Sequence, residues 1–121
     1  MNEPQSNGVL DAEVVASLKE LDDGQGSNLF LELVDIFVED AGAQVESLRS
    51  ALESGDLQQI ERSAHSLKSS CANIGATHMS QVCFELEKRG RSGSNEGVEG
   101  LVGQAQSAYQ DVCCELKKAK G

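Results

Sequence analysis

The sequence predicts an all-α protein, an up-and-down four-helix bundle with an additional short N-terminal helix. Five segments carry apolar residues at three- and four-residue spacing, which is the period of a helix with one buried face. Breaker residues separate these segments, and no stretch alternates apolar and polar residues as a half-buried strand does. The 121 residues suffice for one small core, so we assign residues 9–121 to a single domain and residues 1–8 to a disordered lead-in.

The first two helices are predicted from apolar residues before and after a glycine-rich break. Steps of four, four and three residues from Leu10 to Leu21 indicate a short helix, and Ser27 can cap a long second helix that ends at Gly55. The stripe of the second helix contains Phe30, Leu33, Val34, Phe37, Ala41, Val45, Leu48 and Leu52. Leu29 and Ile36 lie on a second flank, which the first helix could cover or a partner could bind.

Three further helices follow. Asp56 begins the third, with Gln59 three residues later in the arrangement of a capping box, and Gly75 ends it. The fourth runs from about Thr77 to Arg89, and residues 90–95 form a flexible connection to the fifth. The stripe of the fifth helix contains Val98, Leu101, Val102, Ala105, Tyr109, Val112 and Leu116.

Charge and hydropathy argue against two classes of partner. Twenty acidic residues against ten basic ones give a net charge of −10, which repels the phosphate backbone of nucleic acids. No apolar run approaches the roughly 20 residues that span a bilayer. Residues 1–7 lack the basic start and apolar stretch of a signal peptide. We therefore expect a cytoplasmic protein that binds neither nucleic acid nor membrane.

The cysteines do not predict a disulfide framework or a zinc site. The four are Cys71, Cys83, Cys113 and Cys114. They form no Cys-x-x-Cys pair, and the two histidines do not complete a zinc-binding spacing with them. We expect Cys71 and Cys83 in the core, Cys114 facing water, and no metal site.

His65 is the residue with the strongest functional signal. At about 100° per residue, it falls off the apolar stripe of the third helix and shares a face with Glu61, Lys68, Ser69 and Ala72. The exposed positions around it are short, namely Ser66, Ser69, Ser70, Ala72 and Asn73, although helix surfaces favour long side chains. The simplest alternative is a surface histidine without function. The short neighbours instead favour an accessible imidazole onto which a second protein docks.

The segment around His65 resembles the histidine-containing phosphotransfer (HPt) domain of multistep two-component phosphorelays. The family signature is His-x-Leu-Lys-Gly-Ser, then a small residue and, after a short gap, an aliphatic residue, Gly and Ala. The residues that fit it are His65, Leu67, Lys68, Ser70, Ile74, Gly75 and Ala76. Ser69 stands where the pattern favours glycine, and Ser is still small. The resemblance in helix order covers about residues 10–118.

The resemblance implies a phosphocarrier. His65 would accept a phosphoryl group from the receiver-domain aspartate of a hybrid sensor histidine kinase and pass it to the receiver of a response regulator. Lys68, three residues on, is placed to hold the phosphoryl oxygens. We expect Glu61, Ser66, Ser69 and Ala72 to contact the partner. In HPt domains a polar residue of the next helix often braces the imidazole; Glu87 could do so, or could be a solvated carboxylate.

The chain has no motif for binding ATP and phosphorylating itself. It lacks a glycine-rich phosphate loop, and we expect neither autonomous ATP-dependent kinase activity nor a cofactor of its own. Mg²⁺ and the reacting aspartate would come from the receiver domain. We expect the protein itself to be a monomer. The alternative is a non-catalytic helical adaptor that binds a signalling partner and carries no phosphate.

Overall fold

The computed structural model describes residues 9–20 and 29–120, and these residues form five helices without a strand. The helices are α1 (Ala12–Glu20), α2 (Leu29–Ser54), α3 (Leu57–Ile74), α4 (Thr77–Ser92) and α5 (Val98–Lys120). The predicted all-α class is confirmed. The predicted disordered lead-in, the end of the first helix and the Ser27 cap lie outside the described residues.

The four long helices form a bundle in which each packs on two others. α3 packs on α2 and α4, and α5 packs on the same two helices from the opposite side, so α3 and α5 are diagonal to each other. The short α1 packs on α2 and α3. Its preceding turn is tied to the end of α3, since the Asp11 N–H donates to the Gly75 carbonyl at 2.7 Å.

Most residues of the predicted stripes of α2 and α5 are buried, and the ones that are only partly buried are Leu33, Leu52, Leu101 and Tyr109. The largest fully buried side chains of the core are Leu48, Ile60, Leu67, Met79, Leu86 and Leu116. Cys71 and Cys83 are buried and Cys114 is exposed, as predicted. Ile36 is 56% exposed, so α1 does not cover that part of the second flank of α2.

The ends of α3 follow the sequence with one correction. Asp56 caps the helix by accepting the Gln59 backbone N–H at 3.1 Å. The reciprocal half of the predicted capping box is wrong, because the Gln59 side chain donates to Ser63 at 2.8 Å and the Asp56 N–H donates to Ala51. The buried Ser63 hydroxyl thereby gains a partner. Gly75 ends the helix with a φ of 85°, a conformation that glycine adopts without strain.

α4 is longer than predicted. We expected a flexible run from Gly90, but the helix continues to Ser92 and ends at Gly93, which has a φ of 75°. Gly90 is buried, and a Cβ atom there would lie 2.8 Å from both the Leu57 carbonyl oxygen and the Glu61 nitrogen. Its lack of a side chain therefore lets the α4 backbone approach that of α3 closely.

Replacing Gly90 with alanine is expected to destabilise the protein. Overpacking against the α3 backbone costs about 1–3 kcal/mol, and the better helix propensity of alanine returns up to about 1 kcal/mol. Urea unfolding measures the net change. Gly100→Ala in α5 is the matched control, since a Cβ atom added at Gly100 would meet no neighbouring atom within 4 Å and the variant should gain stability. A Gly90→Ala variant as stable as the control would contradict the close packing.

Candidate functional site

His65 lies on the solvent side of α3, with its side chain 63% exposed. Ser66, Ser69 and Ala72 are exposed beside it, and Glu61 is partly exposed one turn earlier. The structure thus places the predicted face around the imidazole at the surface, with short side chains at neighbouring positions.

The next helix supplies a buried carboxylate behind the imidazole. Glu87 of α4 is only 3% exposed, and its Oε2 lies 2.8 Å from His65 Nδ1. The alternative of a solvated carboxylate at a helix end is therefore wrong. Because an ionised carboxylate only accepts hydrogen bonds, Nδ1 carries the proton in this pair. The lone pair of the neutral ring is then on Nε2.

Two cations accompany the same carboxylate. Lys68 Nζ lies 2.7 Å from Glu87 Oε1, an ion-pair contact that is not aligned as a hydrogen bond. Arg91 donates from Nη2 to Glu87 Oε2 at 2.9 Å and from Nε to Glu61 Oε2 at 3.2 Å. These contacts offset the cost of burying a charged carboxylate.

The environment favours the ionised form of Glu87. The Lys68 ammonium lowers the pKa of the Glu87 carboxyl below its ordinary value of 4.5. Burial acts in the opposite direction, and the hydrogen bond from His65 lowers the pKa further. The site therefore holds an anion directly behind the ring at neutral pH.

The structure corrects the expected surroundings of Lys68. The sequence placed Lys68 on the exposed face with His65, but its side chain is only 31% exposed and lies between Glu87 and the Phe84 ring, 5.5 Å from the ring centroid. Helical periodicity places a residue on a face of its own helix, but the contact that holds Lys68 comes from α4. Arg91 was missed altogether, although the four-residue step from Glu87 is a signal for an ion pair on one helix.

Glu87→Gln is expected to lower stability at neutral pH more than in acid. Because the carboxyl has a lower pKa in the folded protein, its ionised form stabilises the fold above pH 4.5. That contribution is lost as the pH falls through the lowered value. We expect the wild type to exceed the variant in stability by on the order of 1–2 kcal/mol at neutral pH, and this difference to shrink as the pH falls below 4.5.

Chemical unfolding at several pH values measures this difference. The matched control is Glu85→Gln on the same helix, because Glu85 is 43% exposed and its ion pair within the described residues is with Lys88. A Glu87→Gln deficit that is the same at every pH would contradict the stabilising role of the ionised carboxylate.

Two other classes of site find no support in the part of the chain that the structure describes. There, no group of three or more His, Cys, Asp or Glu side chains is arranged to hold a metal ion. No described helix is both long and apolar enough to cross a bilayer. The arrangement that stands out is an exposed imidazole whose Nδ1 is bonded to Glu87 and whose Nε2 has no hydrogen-bond partner among the described residues, with the cations of Lys68 and Arg91 on the same carboxylate.

Known proteins are similar to this chain in sequence and in fold. Residues 32–115 match the family model of the Hpt domain. Multistep phosphorelay regulator 1 of Schizosaccharomyces pombe is 32% identical over 97 residues, which are 80% of this chain and 33% of that protein. Sensor protein TorS of Escherichia coli is 33% identical over 75 residues, 62% of this chain and 8% of that protein. The chain thus spans at most a third of the length of either.

A solved structure agrees over almost the whole chain. Histidine-containing phosphotransfer protein B of Pseudomonas aeruginosa has a TM-score of 0.84 and 33% sequence identity, and the match covers 93% of this chain and 95% of that one. The family match extends from α2 into α5 and includes His65, Lys68, Glu87 and Arg91. The chain belongs to the Hpt domain family.

Proposed function

We propose that this protein is a histidine phosphotransfer protein of a phosphorelay. In this proposal His65 accepts a phosphoryl group from the receiver-domain aspartate of a hybrid sensor histidine kinase and passes it to a response-regulator receiver. The observation that carries the proposal is the exposed imidazole whose Nδ1 is bonded to the buried Glu87. Membership of the Hpt domain family supports it.

The hydrogen bond to Glu87 explains why the ring can react. The Nε2 lone pair attacks phosphorus in line with the leaving aspartate oxygen. The Nε2–P bond forms while the P–O bond breaks, and its electrons remain on the aspartate carboxylate. Nδ1 keeps its proton, so the phosphorylated ring is cationic. The ionised Glu87 stabilises that charge, and the same steps in reverse deliver the phosphoryl group to the next receiver.

The receiver domain completes the site in this proposal. It contributes the reacting aspartate and the Mg²⁺ that neutralises the equatorial oxygens. Glu61, Ser66, Ser69 and Ala72 would face its loops. The protein itself would be a phosphocarrier without kinase activity, acting in the cytoplasm as a monomer.

Transfer from labelled receivers tests the proposal. Candidate receivers carrying ³²P on aspartate are mixed with the protein and Mg²⁺, and the label on the protein is tested for the acid lability and alkali stability of phosphohistidine. We expect such label from a cognate receiver and none from ATP and Mg²⁺ alone. Binding of phosphorylated receivers without any transfer would favour the adaptor, and label from ATP alone would contradict the carrier.

Lys68→Ala is expected to slow transfer in both directions by about 10–100-fold, because one cation next to the transferring group is lost. It should also destabilise the fold somewhat, since Lys68 compensates the buried Glu87. Time courses of label transfer measure the rates. Lys88→Ala is the matched control, because Lys88 lies 5.0 Å from the same Phe84 ring but pairs with Glu85. Equal rates in both variants would rule out the role of Lys68.

A further inference from the structure

We propose that Arg91 is a second phosphoryl-binding residue of the His65 site, held by Glu61 and Glu87 until the imidazole is phosphorylated. The inference rests on the proposed phosphocarrier function, and it adds a residue from α4 that lies outside the HPt-like signature.

The geometry brings the guanidinium and the imidazole together. His65 Nδ1 and Arg91 Nη2 bind the same oxygen, Glu87 Oε2, at 2.8 and 2.9 Å. The two nitrogens therefore lie no farther apart than these two contacts placed end to end. Arg91 and Lys68 thus reach the carboxylate behind the ring from α4 and α3, through its two different oxygens.

The direction of the side chains favours this convergence. Contacts of Glu61 with Arg91 and of Lys68 with Glu87 show that α3 and α4 run antiparallel. Side chains lean toward the N-terminus of their own helix, so His65 leans toward the Glu61 end and Arg91 leans back toward Glu87. The Arg91 side chain is 64% exposed, which leaves it room to move around the ring.

Phosphorylation of His65 changes the net charge of the site in a way that attracts the Arg91 guanidinium to the phosphoryl group. In the unmodified site, the cations of Lys68 and Arg91 balance the carboxylates of Glu61 and Glu87. Phosphorylation adds about −1.5 to −2 on the phosphoryl oxygens and one positive charge on the ring, so the site acquires excess negative charge. Guanidinium binds phosphoryl oxygens in pairs, which makes it well suited to that excess.

The Arg91 side chain is more exposed than that of Lys68, and besides its contact with the buried Glu87 it has one with the partly exposed Glu61. Its contact with Glu61 joins side chains that are 64% and 33% exposed, and ion pairs of this kind contribute little to stability. Lys68 is 31% exposed and lies between the buried Glu87 and the Phe84 ring. We therefore infer that Glu61 holds Arg91 beside the ring without binding it tightly.

The test labels His65 without a receiver, so that it does not depend on finding the partner. A His78→Gln protein, which leaves His65 as the single histidine, is phosphorylated with phosphoramidate. ³¹P NMR then follows the second ionisation of the phosphoryl group against pH. Because a nearby guanidinium favours the dianion, Arg91→Ala should raise the pKa of the phosphoryl group by about 0.5, and Arg91→Lys should restore part of the difference.

The matched control is Arg89→Ala, which removes the same charge two residues away, where Arg89 binds the Glu96 carbonyl. Circular dichroism checks that each variant is folded. Arg91→Ala and Arg89→Ala proteins with equal phosphoryl pKa values would overturn the proposal. If His65 is labelled by phosphoramidate but by no receiver, the proposed function fails while this measurement still decides the role of Arg91.

A double-mutant cycle tests the holding role of Glu61. Glu61→Gln should lower the phosphoryl pKa more when Arg91 is present than in the Arg91→Ala background, because only then does it release a cation. Equal effects in the two backgrounds would show that Glu61 acts by its own charge alone and would overturn that part of the proposal.

Discussion

The His65→Gln variant is expected to take up no acid-labile label from any phosphorylated receiver while keeping its helical fold. Glutamine has no nucleophilic ring nitrogen, so the loss of transfer should be complete. The side chain at this position is 63% exposed but donates to the buried Glu87, so we expect the substitution to lower stability by about 1 kcal/mol and to leave the protein folded. Receiver-to-protein label transfer and far-ultraviolet circular dichroism measure the two effects.

His78→Gln is the control for this experiment, because His78 is the other histidine of the chain and lies exposed near the start of α4. It should accept label at the wild-type rate. Phosphohistidine in the His65→Gln protein would show that the reactive nitrogen belongs to another residue.

The helices were predictable because their stripes are long and regular. Each predicted helix is present, and Asp56 and Gly75 bound α3 as their residue types indicate. The error in helix length lies in residues 90–92, where glycine and serine suggested a connection between helices. The composition of that run could not show that Gly90 faces the α3 backbone, which is a consequence of how two helices pack.

The sequence predicts those features of the site that depend on a single helix, and it does not predict the contacts between helices. The exposure of His65 follows from its phase against the stripe of α3, since that phase needs no knowledge of the neighbouring helices. The contacts of Glu87 with His65, Lys68 and Arg91 depend on the antiparallel register of α3 and α4. The sequence suggested Glu87 only through the family resemblance and did not suggest Arg91.

The register explains why a buried carboxylate is tolerated in this bundle. Gly90 lets α4 lie close to α3, and Glu87 is one turn earlier on the same helix. This close approach lets Glu87 contact the His65 ring and the Lys68 ammonium of α3. Arg91 contacts the same carboxylate from α4 itself. The small Gly90 in the contact between α3 and α4 thus helps to bring the charged Glu87 to its partners in the site.

Ser69→Arg is expected to give a folded protein that neither accepts nor donates the phosphoryl group at a useful rate. Ser69 is exposed one turn after His65, so the change should alter stability by about 0.5 kcal/mol or less. An arginine side chain there would hold a docking receiver away from the ring. A displacement of about 1 Å is enough to slow an in-line transfer by roughly 100-fold.

Ser107→Arg provides the matched control. Ser107 is an exposed residue of α5, the helix diagonal to α3, so the same bulk and charge are added far from the imidazole. We expect this variant to bind receivers and exchange phosphate like the wild type. Fluorescence anisotropy with a labelled receiver measures binding, and ³²P time courses measure transfer. If Ser69→Arg matched the control in both assays, the receiver would have to approach His65 from another side, and the short side chains around the ring would need a different explanation.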